Sequence, residues 1–322
     1  MTPMLSNFTL MNPMNPFNLI AKLRRVAAIL LLALPLASGA ADQQTFATPD
    51  AAVNALVAAL KTNDAAALVA LVGEKHKDLV VTGDQAADAA RNAETAALIT
   101  SFRALEARGN DRGVLLIGPQ AWPLPIPLVR EGAVWRFASE LGREELLNRR
   151  IGGNERSAIE VLSAYFPAQR AYASTDRNGD GVLEYALKLA SATGKYDGLY
   201  WPADAAKGEE ISPFGPLIAE SSAYLAGHKQ GDPYRGYHSK ILTRQGKAAA
   251  GGAYNYIING RMIAGFAMLA YPDSYNKSGV MTFIVNHNGK IYQKDLGANT
   301  ADAAAKISAF NPGAGWQEVV TP

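Results

Sequence analysis

Apolar positions in the first half of the chain recur with a helical period. Val53, Leu56, Val57 and Leu60 fall at i, i+3, i+4 and i+7, one face of a helix. Thr48-Pro49-Asp50 stands just before them and supplies a hydroxyl cap, a proline at the first helical position and an early acid. Asn63-Asp64 caps a second short helix carrying Leu68, Leu71 and Val72, which Gly73 ends. The alanine-rich stretch Asp84–Glu106 reads as a third helix. The period then changes. Val114–Ile117, and Leu128–Val129 turning through Glu131-Gly132 into Ala133–Phe137, read as strands. Repeated proline bars Trp122–Pro127 from a central strand and makes it an edge or lead-in segment. Trp122 and Trp135 are expected in the core. Gly142–Arg150 reads as a short helix and Arg149–Glu155 as a joint. The charge at the joint is either a solvated face or a clamp in which Arg149 or Arg150 pairs with carboxylates across the seam.

A long helix follows from Asn154 to about Ala173, with Ile159, Leu162, Phe166 and Gln169 on one stripe and Ala158, Tyr165 and Tyr172 beside it. Pro167 falls inside and predicts a kink. The last third turns to strands: Tyr237–Thr243, Ala253–Ile258, Gly265–Tyr271, Val280–Val285 and Lys290–Asp295. Asn259-Gly260 and Asn286-His287-Asn288-Gly289 mark hairpins between them. Ala301–Phe310 is a closing helix, and Trp316 tucks in the tail. The pattern predicts an α+β protein of two bodies. Residues 42–150 place N-terminal helices on a curved antiparallel sheet, and residues 151–322 pack the long helix on an antiparallel sheet, covering one face.

The start of the chain changes this picture by setting a compartment. Lys22, Arg24 and Arg25 precede the apolar run Val26–Leu36 and the small residues Ala37-Ser38-Gly39-Ala40-Ala41. That order is a secretory signal, residues 1–41, with Met11 and Met14 as alternative starts. The run is short of the ~20 apolar residues a spanning helix needs, so a periplasmic or secreted protein with no transmembrane segment after cleavage is expected. The whole chain carries net +2, and loss of the three basic signal residues leaves −1. A nucleic-acid partner is therefore not expected. With no cysteine, disulfides, thiolate metal sites and cysteine nucleophiles are excluded.

One loop has metal spacing. Asp176-Arg177-Asn178-Gly179-Asp180-Gly181-Val182-Leu183-Glu184 places oxygen donors at positions one, three and five and glycine at six, much of a calcium loop. Asp176, Asn178 and Asp180, with the Val182 carbonyl and Glu184, are the candidate Ca²⁺ ligands; Leu187 stands at position twelve, where a full EF-hand has glutamate. The alternative is a turn built by Asp, Asn and Gly alone. Catalytic patterns are sparse. His76 reads as a loop residue, His238 as a satisfied sheet histidine and His287 as exposed in a turn, and His228 lies in no motif. Ser221-Ser222 offer a nucleophile without an identified partner, and the adjacent acids Glu209 and Glu210 point to different sides. The aromatic loop Tyr196–Pro202 reads either as a groove for sugar or peptide or as packing on the sheet. No catalytic or cofactor-binding residue is assigned.

Several segments together resemble a known family. They are Leu147–Gly152 with Asn154-Glu155, Ala168–Ala173, Asp176–Tyr185, Asp197–Pro202, Gly252-Ala253-Tyr254 and Gly279–Asn286. They resemble the bacterial exported family catalogued as domain of unknown function 2950, which implies no established activity. Residues 46–140 are also similar in pattern to a nuclear-transport-factor-2-like cone, which implies a ligand or active site inside the cone. Asn154-Glu155, Ala168-Gln169, Tyr172, Gly265–Ala267, Gly279–Phe283 and Asn288-Gly289 resemble a type IV pilin or pseudopilin-like globular module. Pilins begin with an apolar membrane helix, and here a soluble half stands in its place, so only the globular shape carries over. Two functions are expected from different classes. One is an exported cell-envelope protein with a non-catalytic structural or interaction role among envelope proteins. The other is a periplasmic hydrolase or small-ligand binder using the cone or the aromatic loop. Oligomeric state is left open.

Overall fold

A computed structural model describes residues 43–220 and 232–320. The signal-like segment through Ala41, Ser221-Ser222 and His228 lie outside the described residues. Among the described residues, no helix is long and apolar enough to cross a membrane. The protein is α+β.

Its first three helices start where their caps stand. At α1 (Pro49–Lys61), Thr48 Oγ1 accepts the Ala51 N–H at 3.2 Å. At α2 (Ala65–Val72), Asp64 Oδ1 accepts that of Ala67 at 3.0 Å. At α3 (Gln85–Ser101), Asp84 Oδ1 accepts those of Ala86 and Ala87 at 3.1 and 3.0 Å. The third helix is shorter than its composition predicts. Phe102 is extended, and Arg103–Ala107 forms β1 instead of continuing to Glu106. The whole of β1 registers on β2 (Arg112–Ile117), from Arg103 opposite Ile117 to Ala107 opposite Gly113. A full antiparallel ladder overrides the small helix preference of these residues.

The first sheet runs β1-β2-β4-β5, with β4 Leu128–Glu131 and β5 Val134–Phe137. The proline segment interrupts one partner of β2. β3 (Trp122–Pro123) pairs at the Ile117 end and β4 at the Arg112 end. Ala52, Leu68, Leu71, Ile99, Leu115, Leu128 and Phe137 fill the space between helices and sheet, each 2% exposed or less. These side chains form the first of two hydrophobic cores. Trp135 packs on this core, whereas Trp122 is 61% exposed, contrary to expectation. The backbone of Trp122 is held by two ladder positions at an edge, and its ring stacks with Arg149, 5.7 Å away.

No joint breaks the chain at residues 149–155. α4 runs from Ser139 to Tyr172 as one helix of 34 residues, about 51 Å at 1.5 Å per residue. Gly152, Gly153 and Pro167 lie within it, although glycine costs about 1 kcal/mol against alanine in a helix. Packing at both ends explains the continuity. Ser139 Oγ donates to Val72 O at 2.7 Å, and Arg143 forks onto Asp78 at 2.6 and 2.8 Å. Farther along, Leu162 and Tyr165 are fully buried in the second core. Gly142 is required by contact, since a Cβ there would lie 2.5 Å from Ile126 Cγ1. Arg149 pairs with Glu145 one turn back, at 2.8 Å, so the observed ion pair is within the helix and not across a seam. Asn154 and Glu155 instead dock the helix on the second sheet. Asn154 Nδ2 donates to Ser278 O at 2.8 Å, and Glu155 Oε1 accepts the N–H groups of Val280 and Met281 at 2.9 and 3.0 Å.

The second sheet is wholly antiparallel, in the order β14-β13-β12-β11-β6. Its strands are β6 Tyr237–Leu242, β11 Ala267–Pro272, β12 Met281–Asn286, β13 Ile291–Asp295 and β14 Gln317–Glu318. Two further pairs lie outside it, β7 (Arg244–Gln245) with β8 (Tyr254–Asn255), and β9 (Ile257–Ile258) with β10 (Arg261–Met262). Asn259 and Gly260 take φ of +51° and +83°, the left-handed pair of a tight hairpin turn. The strand returning from that turn is β10, not the predicted Gly265–Tyr271 run, which crosses to lie between β6 and β12. The closing helix is α6 (Thr300–Lys306), shorter than Ala301–Phe310 because Phe310 bridges Gln245. Lys240 Nζ ties its last turn to the sheet through Ala305 O and Ile307 O, at 3.1 and 3.0 Å. The sheet therefore carries α4 on one face and α6 on the other.

Candidate functional site

A pocket of about 560 Å³ opens beside β6, the edge strand of the second sheet. Val161 from α4 forms its floor with Tyr237 and Ile241 of β6. The facing wall is Leu187–Ala190 with Tyr200, and Phe214 and Leu217 of the α5 region (α5, Gly215–Glu220) close one side. Such a volume and such apolar walls suit a small-molecule or side-chain site. Two polar side chains at the rim, His238 and Lys188, are already partnered. His238 Nε2 lies 2.8 Å from Asp273 Oδ1, and its ring stacks on Tyr271 at 5.3 Å. Lys188 is bonded to Asp197 at 2.5 Å. The reading of His238 as a satisfied sheet histidine agrees with this geometry.

The wall facing β6 is positioned by one buried amide. Gln169 Oε1 accepts the Ala186 N–H at 2.8 Å, while Nε2 donates to Ala186 O and to Tyr165 Oη, each at 2.9 Å. A glutamine on the apolar stripe of α4 thereby fixes the chain just before Leu187. The aromatic loop mostly packs. Leu199 and Trp201 are buried, and Trp201 Nε1 donates to Glu210 O at 2.9 Å. Tyr200 alone among its aromatic residues lines the pocket. Gly198 has no room for a side chain, since a Cβ would meet Ala190 C at 2.7 Å.

The calcium-like loop folds around Asp176. Its Oδ1 accepts the N–H groups of Gly179 and Asp180 at 2.9 and 3.3 Å, and its Oδ2 that of Gly181 at 2.8 Å. The Gly181 N–H, foremost, holds the Asp176 carboxyl below the usual carboxylate range. Asn178 Oδ1 accepts from Asp180 N at 3.1 Å, and Asp180 Oδ1 from Val182 N at 3.0 Å. Asn178 Nδ2 donates to Glu184 Oε1 at 2.9 Å, which brings positions three and nine together. Two features stand beside the proposed ligands that the sequence did not reveal. Arg261 pairs with Asp180 Oδ2 at 2.6 Å. Arg177 is buried between the rings of Tyr172 and Trp201, 5.0 and 4.9 Å away, and forks onto Glu210. Among the described residues no group of three or more His, Asp or Glu side chains is gathered as a metal cluster. The oxygen donors fit a hard cation in kind, with the Arg261 charge opposing it.

The remaining candidates separate. Glu209 accepts the Asp204 N–H at 2.8 Å, so the two adjacent acids do face different partners. His76 sits in a 3₁₀ turn, Glu74–Leu79, half-buried, with Nδ1 unbonded. His287 is not exposed as expected. Its N–H donates to Phe266 O at 3.0 Å and draws the turn inward, so the ring lies half-buried among Tyr254, Tyr256 and Phe266. Nε2 is 3.3 Å from Tyr254 Oη, Nδ1 has no partner, and burial lowers the pKa. Among the described residues no serine or threonine hydroxyl bonds to a histidine ring.

Residues 43–319, which take in both cores and the pocket, match the family described as Protein of unknown function (DUF2950). The chain belongs to that family. No curated protein and no solved structure matches it. Several DUF2950-like segments quoted from the sequence have physical roles here: Asn154-Glu155 meets Gly279–Met281 at the helix–sheet contact, and Gln169 meets Ala186 behind the pocket. Val161, Leu189, Phe214, Leu217 and Ile241 were not singled out from the sequence. Their only signal there is apolarity, which core residues share.

Proposed function

We propose that this is an exported, non-catalytic binding protein of the cell envelope, whose ligand site is the pocket beside β6. The observation that carries the reading is an apolar cavity of about 560 Å³ bounded by a sheet edge, the long helix and an anchored loop. The buried side chains packed between the first three helices and their sheet favour this pocket over a site inside a cone. The basic–apolar–small order at the start of the chain supports export. Two non-overlapping hydrophobic cores support the division into bodies 42–150 and 151–322. Helices on a sheet in the first, and a helix across an antiparallel sheet in the second, agree with the cone-like and pilin-like resemblances. The Asp176–Glu184 loop is proposed as a weak Ca²⁺ site that orders the chain after α4.

The binding reading is tested by titrating the mature protein with the apolar fluorophore 1-anilinonaphthalene-8-sulfonate. Saturable binding is expected, weakened about tenfold or more by Leu217→Arg, which sets a charge in an apolar wall. Unsaturable uptake, or equal binding by the variant, overturns it. Export is tested by expressing the full chain in a bacterial host and sequencing the periplasmic product. A mature terminus near Asp42 is expected, and an uncleaved cytoplasmic protein refutes it.

A further inference from the structure

Main-chain groups in the wall of this pocket are left open. Gly236 O accepts the Asp273 N–H at 3.0 Å and so points toward β11. Alternation then turns the N–H and C=O of residues 237, 239, 241 and 243 to the outer edge. Tyr237 is closed locally through both groups and Thr243 through its carbonyl. Tyr237 exchanges bonds of 2.8 and 3.0 Å with Tyr234, and Thr243 O accepts the Tyr256 N–H at 2.8 Å. Between them, Ser239 and Ile241 have no outer-edge partner among the described residues, and both line the pocket. The edge is thus a notch two paired positions long, stopped at each end by chain lying in the plane of the sheet.

We infer that the notch takes an extended peptide segment by strand addition, with one apolar side chain entering the pocket. This rests on the reading of the pocket as a binding site. Two donors and two acceptors at alternate residues are the complement of an antiparallel strand. Side chains of an added strand alternate between faces, so the residue between its two paired positions, or those positions themselves, faces Val161, Phe214 and Leu217 on the α4 side. A second folded copy does not fit. Its own Tyr234 and Tyr256 flanks would meet the same flanks here before the edges paired, whereas a free chain can enter and leave through the pocket mouth. The partner is an unfolded or extended stretch of another exported protein, neutral and apolar at alternate positions.

Wild-type protein is titrated with a fluorescein-labelled, capped pentapeptide of alternating threonine and valine. Two N-methylated forms are compared, one methylated at positions two and four, the other at positions one, three and five. One form should bind about tenfold or more weakly, and the other within about twofold of the parent, because only one set of amides points at β6. Equal loss by both forms, or by neither, overturns the inference. Ser239→Pro removes one outward N–H and leaves the β6–β11 ladder intact. It should bind the peptide about tenfold or more weakly. Should that variant fold poorly, the methylated peptides decide the matter with unaltered protein. Saturable fluorophore uptake without peptide binding sinks strand addition alone; absence of both sinks the binding site itself.

Discussion

Gln169→Leu is the substitution that most directly tests how the pocket wall is held. The side chain is fully buried and bonds both main-chain groups of Ala186, itself 1% exposed. Leucine is close in size but leaves the Ala186 N–H and C=O unpaired in the interior, at about 1–3 kcal/mol for each group. Tyr165 Oη loses one partner and keeps Ala267 O at 3.2 Å. The greater apolarity of leucine offsets about 1 kcal/mol. A net loss of about 1–5 kcal/mol is expected. Urea unfolding measures it, with a constant m-value required for the comparison to hold. Ser163→Ala, on the exposed side of the same helix, should stay within about 0.5 kcal/mol of wild type. Hydrogen exchange at the Ala186 amide should lose its protection in Gln169→Leu. An unchanged denaturation midpoint, or full protection at Ala186, would refute the claim that this amide anchors the wall.

Three further outcomes are expected. His287 has a folded-state pKa below its unfolded value of 6.5, so the unfolded chain binds the proton first. Its contribution is full above that value and is lost as pH falls toward the lowered folded pKa; thermal melts between pH 7.5 and 5 should decline less steeply in His287→Asn, and parallel curves would contradict this. Gly279→Ala sets a methyl against the ring of Tyr237, a 3% exposed residue bonded to Met281 O; overpacking of this kind costs about 1–3 kcal/mol, and a melting temperature equal to wild type would argue against the contact. For the Asp176 loop, calcium at ten times its Kd adds about 1.4 kcal/mol, seen as a rise in melting temperature in millimolar Ca²⁺ over chelator. Arg261→Gln, which frees Asp180 of its counter-charge, should enlarge that rise, and a calcium-insensitive melt in both proteins would dispose of the site.

Local chemistry decided what the sequence made legible. The caps at Thr48 and Asp64, the turn at Asn259-Gly260 and the strand at Tyr237–Leu242 are set by residues within a few positions of one another, so they could be read directly. The loop around Asp176 was visible for the same reason. Errors fell where distant partners outweighed local preference. Arg103–Ala107 left the helix for β2, and Asn154-Glu155 stayed helical by docking on Ser278–Met281. The pocket lay beyond reach altogether. Its apolar lining is indistinguishable by type from core, and only the tertiary fold leaves one side of those residues uncovered. The open edge at Ser239 and Ile241 likewise exists because β6 ends the sheet, and its place beside β11 comes from pairing between segments distant in the chain, which the residues of β6 alone do not announce.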